Sequence, residues 1–593
     1  MTMTEVLPPA AIFIIGGLLV PLIKGKWKSA YMLLIPVVGF INLINIPEGT
    51  HWVVEFMEYD LIFGKVDRLS LLFGYIFHLI SFIAILYAIH VKDDVQNVAG
   101  LVYAGSALGV IFAGDLFSFF VFWEMLTVAS IFLIWARRTK AAQGAGYRYL
   151  LVHAAGGLCL LAGIVLYVNQ TGSIEFGYIG LNGLATLLIF LGFGLNCAWP
   201  LLHPWLTDAY PEATITGTVF LSAFTTKCAV YALARAFPGT EALIWIGAIM
   251  TAFPIFYAVI ENNLRRVLSY SLINQVGFMV CGIGIGTQMA INGAVSHAVN
   301  DILFKALLFM SMGAVMYRNN NKINCTALGG LYRTMPLTCI CCIIGAASIS
   351  AVPLFSGFVS KSMVMSAAAD GHMQIIWFIL LFASVGVLEH AGIKIPFFAF
   401  FGHDSGLRPK EAPLHMLLAM GIAAFFCIFN GSFPSYLYSL LPYPVEYVPY
   451  TVPHVVGQTQ LIFFAALAFI LLTLSGMSPA EMRAVNVDAD WFYRKGSGLF
   501  YRVMDISMNG LTRVADRVIV GELTGSICRI SQRWPEVLCL GIMIPLWSIT
   551  GVKGKELEGK IERTRVALQT HTSPIGISAA IATIFLVLIY LLM

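Results

Sequence analysis

Glu124, Lys227, His297, Asp301, Lys305, Lys361 and Lys394 stand inside long apolar stretches of the chain. An ionised side chain at mid-membrane costs about 2.5–3.5 kcal/mol on insertion scales, so such residues face a polar interior and serve function. His297, Asp301 and Lys305 are spaced i, i+4, i+8, which places an acid between two bases on one stripe of one helix. His390 and Lys394 repeat the i, i+4 spacing, with Glu389 beside them. An alternating series of acids, bases and His is what proton movement needs, because each step passes between neighbours of comparable proton affinity. Plainer readings hold for others. His153 and His78 fit satisfied packing residues, and Glu389 fits a group that neutralises its neighbour.

Enzyme chemistry finds less support. Cys339, Cys341 and Cys342 form a tight triplet in an apolar stretch with no companion His or carboxylate to complete a metal shell, so they read as packing. Gly282, Gly284 and Gly286 follow no strand and make no dinucleotide fingerprint. A Gly-rich phosphate loop with a Lys is missing as well. No catalytic residue, cofactor or metal is expected, and the chain reads as not catalytic by itself.

The elements that must carry these residues follow from composition. Of 593 residues, 59% are apolar and only 11% charged, against about 25% charged in a soluble domain. The net charge of +4 is too small for a nucleic-acid footprint, and the 11 Cys make no disulfide framework. The chain is predicted to be an all-α polytopic membrane protein of about 14–17 transmembrane helices. Its first helix, near 8–23, reads as retained rather than as a signal peptide, since Glu5 rather than a basic region precedes it. Lys24, Lys26, Lys28, Arg137, Arg138, Lys140, Arg265, Arg266, Arg318, Lys322 and Arg333 all fall on one side, which the positive-inside rule makes cytoplasmic. The acidic 47–60 loop and the Pro-rich 434–453 loop then face outward.

The expected organisation is N-terminal helices in 1–96, a first inverted repeat in 97–237, a second in 242–401, C-terminal helices in 413–476, and terminal helices in 535–593. Between them, 478–533 carries Arg483, Arg494, Lys495, Arg502, Arg513, Arg517, Arg529 and Arg533 among apolar residues, which fits an amphipathic helix lying along the membrane surface. A solvated linker fits 478–496 equally well. Two blocks match in chemistry: Asn196 precedes Pro200 and Pro204 with Lys227 further on, and Pro353 and Gly357 precede Lys361 with Lys394 further on. Opposite membrane polarity of the two blocks is the mark of inverted repeats with broken helices.

The stretches LFSFFVFWE (116–124), PLLHPWLTDAYPEA (200–213), RRVLSYSLINQVG (265–277), SHAVNDILFKALLF (296–309) and SISAVPLFSGFVSK (348–361) give this reading a family. Over roughly 65–430 the chain resembles the antiporter-like membrane subunits: the Mrp sodium/proton antiporter subunits, most nearly the D type, with relatives in respiratory NADH dehydrogenase and membrane-bound hydrogenases. The resemblance implies a proton-relay role for Glu124, Lys227, Lys305 and Lys361. It also implies a first broken-helix lysine where Asn196 stands, and a second His where Asp301 stands. Partners implied are other membrane subunits of a hetero-oligomeric complex in a prokaryotic inner membrane, together with the bilayer, protons and, as a candidate counter-ion, sodium. A redox-driven proton-pumping module is the alternative. A scaffold with a disabled channel, suggested by Asn196, is a third reading.

Overall fold

The computed structural model describes residues 6–476, 482, 486–569 and 575–592. Glu5, residues 478–481 and Arg483 lie outside the described residues. The chain divides into two units, one ending at Asp490 and one beginning at Trp491.

The first unit opens with α1 (Pro9–Leu19) and α2 (Lys26–Ile44). The 47–60 segment, expected as a plain loop, folds together with 61–66 into an antiparallel hairpin, β1 (Gly49–Phe56) and β2 (Tyr59–Val66). Alternation of His51, Val53 and Glu55 with Trp52 and Val54 suits a strand, but its acidic residues mask that signal. Four helices come next: α3 (Arg68–Tyr87), α4 (Asp94–Phe112), α5 (Leu116–Trp135) and α6 (Lys140–Thr171). Each begins at a capping side chain, Asp67, Asp93, Asp115 or Thr139, which accepts from a backbone N–H of the first turn.

Beyond them lies a broken element, α7 (Leu184–Asn196) and α8 (Pro204–Glu212), separated by 197–203. The element after it, α9 (Gly217–Ala223) and α10 (Thr225–Ala236), is interrupted at Phe224. Then run α11 (Glu241–Ile260), α12 (Leu264–Ile285) and α13 (Gln288–Arg318). A second broken element is formed by α14 (Pro336–Ile349) and α15 (Ser356–Asp370). The helix α16 (Gln374–Val387) passes into a π-helical turn, Leu388–Ile393, then α17 (Lys394–Pro396) and a second π turn, Phe397–Phe401. The unit closes with α18 (Leu414–Ser432), α19 (Pro434–Ser439) and α20 (Val452–Leu474).

Among the described residues, 12 helices are long and apolar enough to cross a membrane, and shorter apolar helices include Pro9–Leu22, Leu184–Asn196 and Pro336–Ile349. Breaks shorten the last two. The chain is a multi-pass membrane protein. Its centre is α13, in which every residue from Ala290 to Met316 is buried.

The second unit holds α21 (Asp490–Ala515), a π-helical stretch Asp516–Leu523, α22 (Thr524–Ile549), α23 (Lys555–Gln569) and α24 (Ile575–Leu592). The amphipathic character read over 478–533 belongs to α21 and the start of α22. Residues 535–551, read as a separate crossing, continue α22 from the basic 524–534 without an intervening turn as far as Ile549.

Candidate functional site

The stripe on α13 meets its neighbours one residue at a time. Asp301 Oδ2 lies 2.6 Å from Lys227 Nζ, and both side chains are fully buried. Lys305 Nζ donates to Ser271 Oγ of α12 at 2.7 Å. His297 sits between α12 and α15, its Nε2 3.2 Å from Gln275 Oε1 and its Nδ1 3.0 Å from Ser360 Oγ. An amide oxygen only accepts, so Nε2 carries the hydrogen toward Gln275, while the Ser360 hydroxyl donates to the Ser356 carbonyl at 3.3 Å. Gln275 is held in that orientation because its own amide donates to Asn274 Oδ1 at 2.5 Å.

Three of the lysines share one device. Lys227 Nζ donates to the Ser222 carbonyl at 3.0 Å, Lys361 Nζ to the Ile349 carbonyl at 3.0 Å, and Lys394 Nζ to the Ala258 and Val259 carbonyls at 3.3 and 2.5 Å. Every acceptor lies in the last turn of a helix: α9, α14 and α11. Helix ends leave four carbonyls without intrahelical partners and carry partial negative charge. A break in a membrane helix therefore creates the acceptor that a buried amine requires. Lys361 gains in addition the face of Phe278, 5.0 Å from the ring centroid. It also borders a cavity of about 530 Å³ lined by Ser362, Ser366, Ser384, Tyr447 and His454.

The two broken elements carry the same backbone signature. Ala198 and Leu201 have φ of 58° and 70°, and Ala351 and Leu354 have φ of 55° and 73°. Matching these pairs aligns Pro200 with Pro353, Asn196 with Ile349 and Asp208 with Lys361. The expectation that Asn196 and Lys361 hold one position in two repeats is thus corrected. Asn196 ends the helix before its break, whereas Lys361 lies in the helix after its own. Among the described residues, Asn196 Nδ2 has no hydrogen-bond partner. Asp208, the residue matched to Lys361, makes a two-point contact with Arg148 at 2.6 and 3.0 Å.

Glu124 is half-buried on α5 and stands apart from this network. Its Oε1 has no hydrogen-bond partner among the described residues. The carboxylate packs on Gly157 of α6, where an added Cβ would come within 2.1 Å of Oε1. It faces an apolar cavity of about 740 Å³ lined by Val98, Val102, Val121 and Phe132. Lys227 is paired with Asp301 rather than with Glu124. His153 is stacked on Tyr149 at 3.9 Å and set edge-on to Trp205 at 4.5 Å. Glu389 and His390 occupy the π-helical turn before Lys394, and neither ring nitrogen of His390 has a hydrogen-bond partner among the described residues.

Sequence reasoning placed Arg265 among exposed loop charges, yet it is 2% exposed. Its guanidinium donates to the carbonyls of Tyr210, Pro211, Ala213 and Thr214 at 2.9 to 3.3 Å, fixing the end of α8. Ser271, Gln275 and Ser360, which partner the stripe, also escaped notice. Hydroxyls and amides are common in membrane helices, so their type alone gives no signal. Asp488 escaped as well; it lies 285 residues from His203, its partner in space.

Buried acids and bases strung along broken membrane helices define a class: a helical membrane subunit similar to those of the antiporter-like kind. Residues 113–386 match the family described as NADH:quinone oxidoreductase/Mrp antiporter, TM. It is 28% identical over 403 residues to a probable K(+)/H(+) antiporter A/B subunit of Rhizobium meliloti, covering 63% of this chain and 40% of the relative. It is 25% identical over 431 residues to hydrogenase-4 component B of Escherichia coli, covering 65% and 64%. Identity to the Na(+)/H(+) antiporter A1 subunit of Staphylococcus aureus is 26% over 492 residues, covering 72% and 60%. The chain thus spans 40% to 64% of the length of these curated relatives. A chain of the Mrp complex from Dietzia sp. DQ12-45-1b matches with TM-score 0.64 at 20% identity, covering 74% of this chain and 96% of that one. A chain of the archaeal membrane-bound sulfane sulfur reductase matches with TM-score 0.70 at 22% identity, covering 91% and 99%. These likenesses establish the fold.

Proposed function

We propose that the chain is an ion-translocating subunit of a multisubunit membrane complex and moves protons through its buried acid–base series. One observation carries the reading: a fully buried pair, Lys227–Asp301, joins the two repeats. Asp301 shares its helix face with Lys305 and His297, and His297 meets Ser360, the residue before Lys361. Such a series would be costly in a purely structural scaffold. Lys361 borders a cavity whose mixed lining includes Ser362, Ser366, Ser384 and His454, which supports a polar route at this end of the series. Proton exchange against sodium or potassium is the first form of the reading, supported by the antiporter names of two relatives. A redox-driven proton pump is the second, supported by hydrogenase-4 component B, the relative of the three whose length is matched most fully.

Two measurements separate the outcomes. In vesicles holding the intact complex, acidification or alkalinisation driven by an ion gradient tests translocation, and Lys361→Ala is expected to abolish it. Proton movement unchanged in that variant overturns the reading. Subunits that co-purify in mild detergent then divide the two forms, since small antiporter partners support the first and iron–sulfur or nickel proteins the second.

A further inference from the structure

The segment after α20 returns to the first broken element. Asp488 is 7% exposed, and its carboxylate oxygens both lie 3.1 Å from Nε2 of His203, which is 3% exposed. Tyr270 of α12 donates its hydroxyl to Asp488 Oδ2 at 2.7 Å, and the Ala489 N–H donates to Oδ1 at 2.6 Å. Two residues earlier, Asn486 donates to Glu261 Oε2 at 3.2 Å, a second tie holding the segment in place. His203 itself occupies the break between α7 and α8, directly before Pro204.

The arrangement decides the state of the ring. A carboxylate only accepts, so Nε2 carries the hydrogen toward Asp488, and in the neutral imidazole Nδ1 then presents a lone pair. That Nδ1 is buried and has no hydrogen-bond partner among the described residues. Burial alone would raise the Asp488 carboxyl. The hydrogen bond and charge of His203, with the bonds from Tyr270 and the Ala489 N–H, outweigh burial and hold it below the usual carboxylate value. A proton taken at Nδ1 would stand opposite the Asp488 carboxylate, so the cation it makes is paired rather than isolated. The other groups facing the pair are Phe253, whose ring lies 4.7 Å from His203, and Tyr257, stacked on Tyr270 at 5.1 Å. Arg266 pairs with Glu261 at 3.8 Å on the same side.

We propose that Asp488 is a positioning residue that makes His203 a proton-accepting site at the first broken element. The step balances at one atom: Nδ1 takes up a proton and gives it up again, while Nε2 keeps its own hydrogen toward Asp488 throughout. Leu201, two residues before His203, is 72% exposed, so the break reaches the surface of the unit. Tyr270 directly precedes Ser271, the partner of Lys305, which brings the accepting site and the series onto one helix. Asp208, four residues C-terminal to Pro204, belongs to a separate pair with Arg148 and plays no part.

This proposal rests on the translocation reading, and the test keeps the two apart. Intact complex carrying His203→Gln, Asp488→Asn or Asp488→Glu is compared with the wild type in vesicles across a pH series, with Lys361→Ala as the reference for a broken relay. His203→Gln is expected to lower proton movement at least tenfold. Asp488→Asn keeps the shape but loses the charge that faces the ring, so the pH profile of movement should change, while Asp488→Glu restores most of the wild-type profile. Subunit content and thermal melting of each variant are read alongside, since a purely structural tie would move those and leave the pH profile in place. Wild-type movement in His203→Gln, or an unshifted profile in Asp488→Asn, overturns the proposal while the Lys361→Ala loss keeps the translocation reading. Unaltered movement in Lys361→Ala overturns the reading beneath it.

Discussion

Asp301, in the middle of α13, gives its carboxylate to Lys227 of α10 at 2.6 Å rather than to the His297 and Lys305 one turn away on its own helix. Spacing along α13 predicts an acid that serves its own stripe. Packing assigns it to another helix, because the break at Phe224 leaves the Ser222 carbonyl to hold the Lys227 amine beside α13.

The pair is therefore expected to behave as a unit. Removing one partner leaves an unpaired buried charge, at a cost of about 3–5 kcal/mol. Lys227→Met and Asp301→Asn should each lower thermal melting and subunit content, and the double variant should recover much of both. Proton movement should be lost in all three. Thermal melting of the purified complex checks the order, and a double variant less stable than either single one would contradict it.

Lys361 and Asn196 should differ sharply in vesicles. Lys361→Ala removes the only titratable group at its position and leaves the Ile349 carbonyl without its donor, so proton movement should vanish. Asn196→Ala removes an amide whose Nδ2 has no hydrogen-bond partner among the described residues, and movement should stay within about threefold of wild type. A severe loss in Asn196→Ala with a mild one in Lys361→Ala would place the working channel in the first repeat.

Glu124 offers a test by geometry alone. A methyl at Gly157 would meet Oε1 at 2.1 Å, so Gly157→Ala must push the carboxylate aside while keeping its charge, at a packing cost of about 1–3 kcal/mol. If Glu124 works from its observed place, Gly157→Ala and Glu124→Gln should impair proton movement alike, with Glu124→Asp less affected. Normal movement in both, at equal protein level, would make the residue structural.

Much of this is legible in the order of the residues. Long apolar stretches and Pro-rich interruptions are properties of local sequence, and they set the class, the broken helices and the burial of Lys227 and Lys361. Partners are less visible, for physical reasons. Arg265 reads as a loop charge because the four carbonyls it satisfies arise only when α8 ends beneath it. Lys227 and Asp301 read as members of separate groups because nothing in their spacing reports the packing of α10 on α13. The hairpin is hidden by Glu55, Glu58 and Asp60, whose types speak for a loop. Relatives bearing antiporter and hydrogenase names both match this chain, so the likeness marks a membrane module rather than one kind of complex.

Arg265 should prove hard to replace. Lysine supplies the charge but not the planar fork that reaches four carbonyls between 210 and 214. Arg265→Lys is expected to lose about 1–3 kcal/mol through carbonyls left unsatisfied, seen as a lower melting temperature. Arg265→Met should lose more, since no donor remains. Equal melting of wild type and Arg265→Met would show that α8 is held by packing alone.

Removal of the second unit tests its part in assembly. Its first helix, α21, is exposed along its length in the isolated chain and bears Arg494, Lys495, Arg502 and Arg513 beside Phe500, Val503 and Ile506. A helix of that composition suits an interface where apolar faces meet other membrane helices and basic groups stay at the polar boundary. Ending the chain after Asp490 removes this unit but retains Asp488 and its contacts with His203 and Tyr270. The shortened chain should insert and fold, because the first unit keeps its own core, yet lose its co-purifying subunits in mild detergent. A longer deletion from Ser478 should lose those subunits and also disturb the first broken element, since it takes Asp488 with it. Thermal melting distinguishes the two truncations, and undiminished recovery of partner subunits with the chain ending at Asp490 would place the assembly surface in the first unit instead.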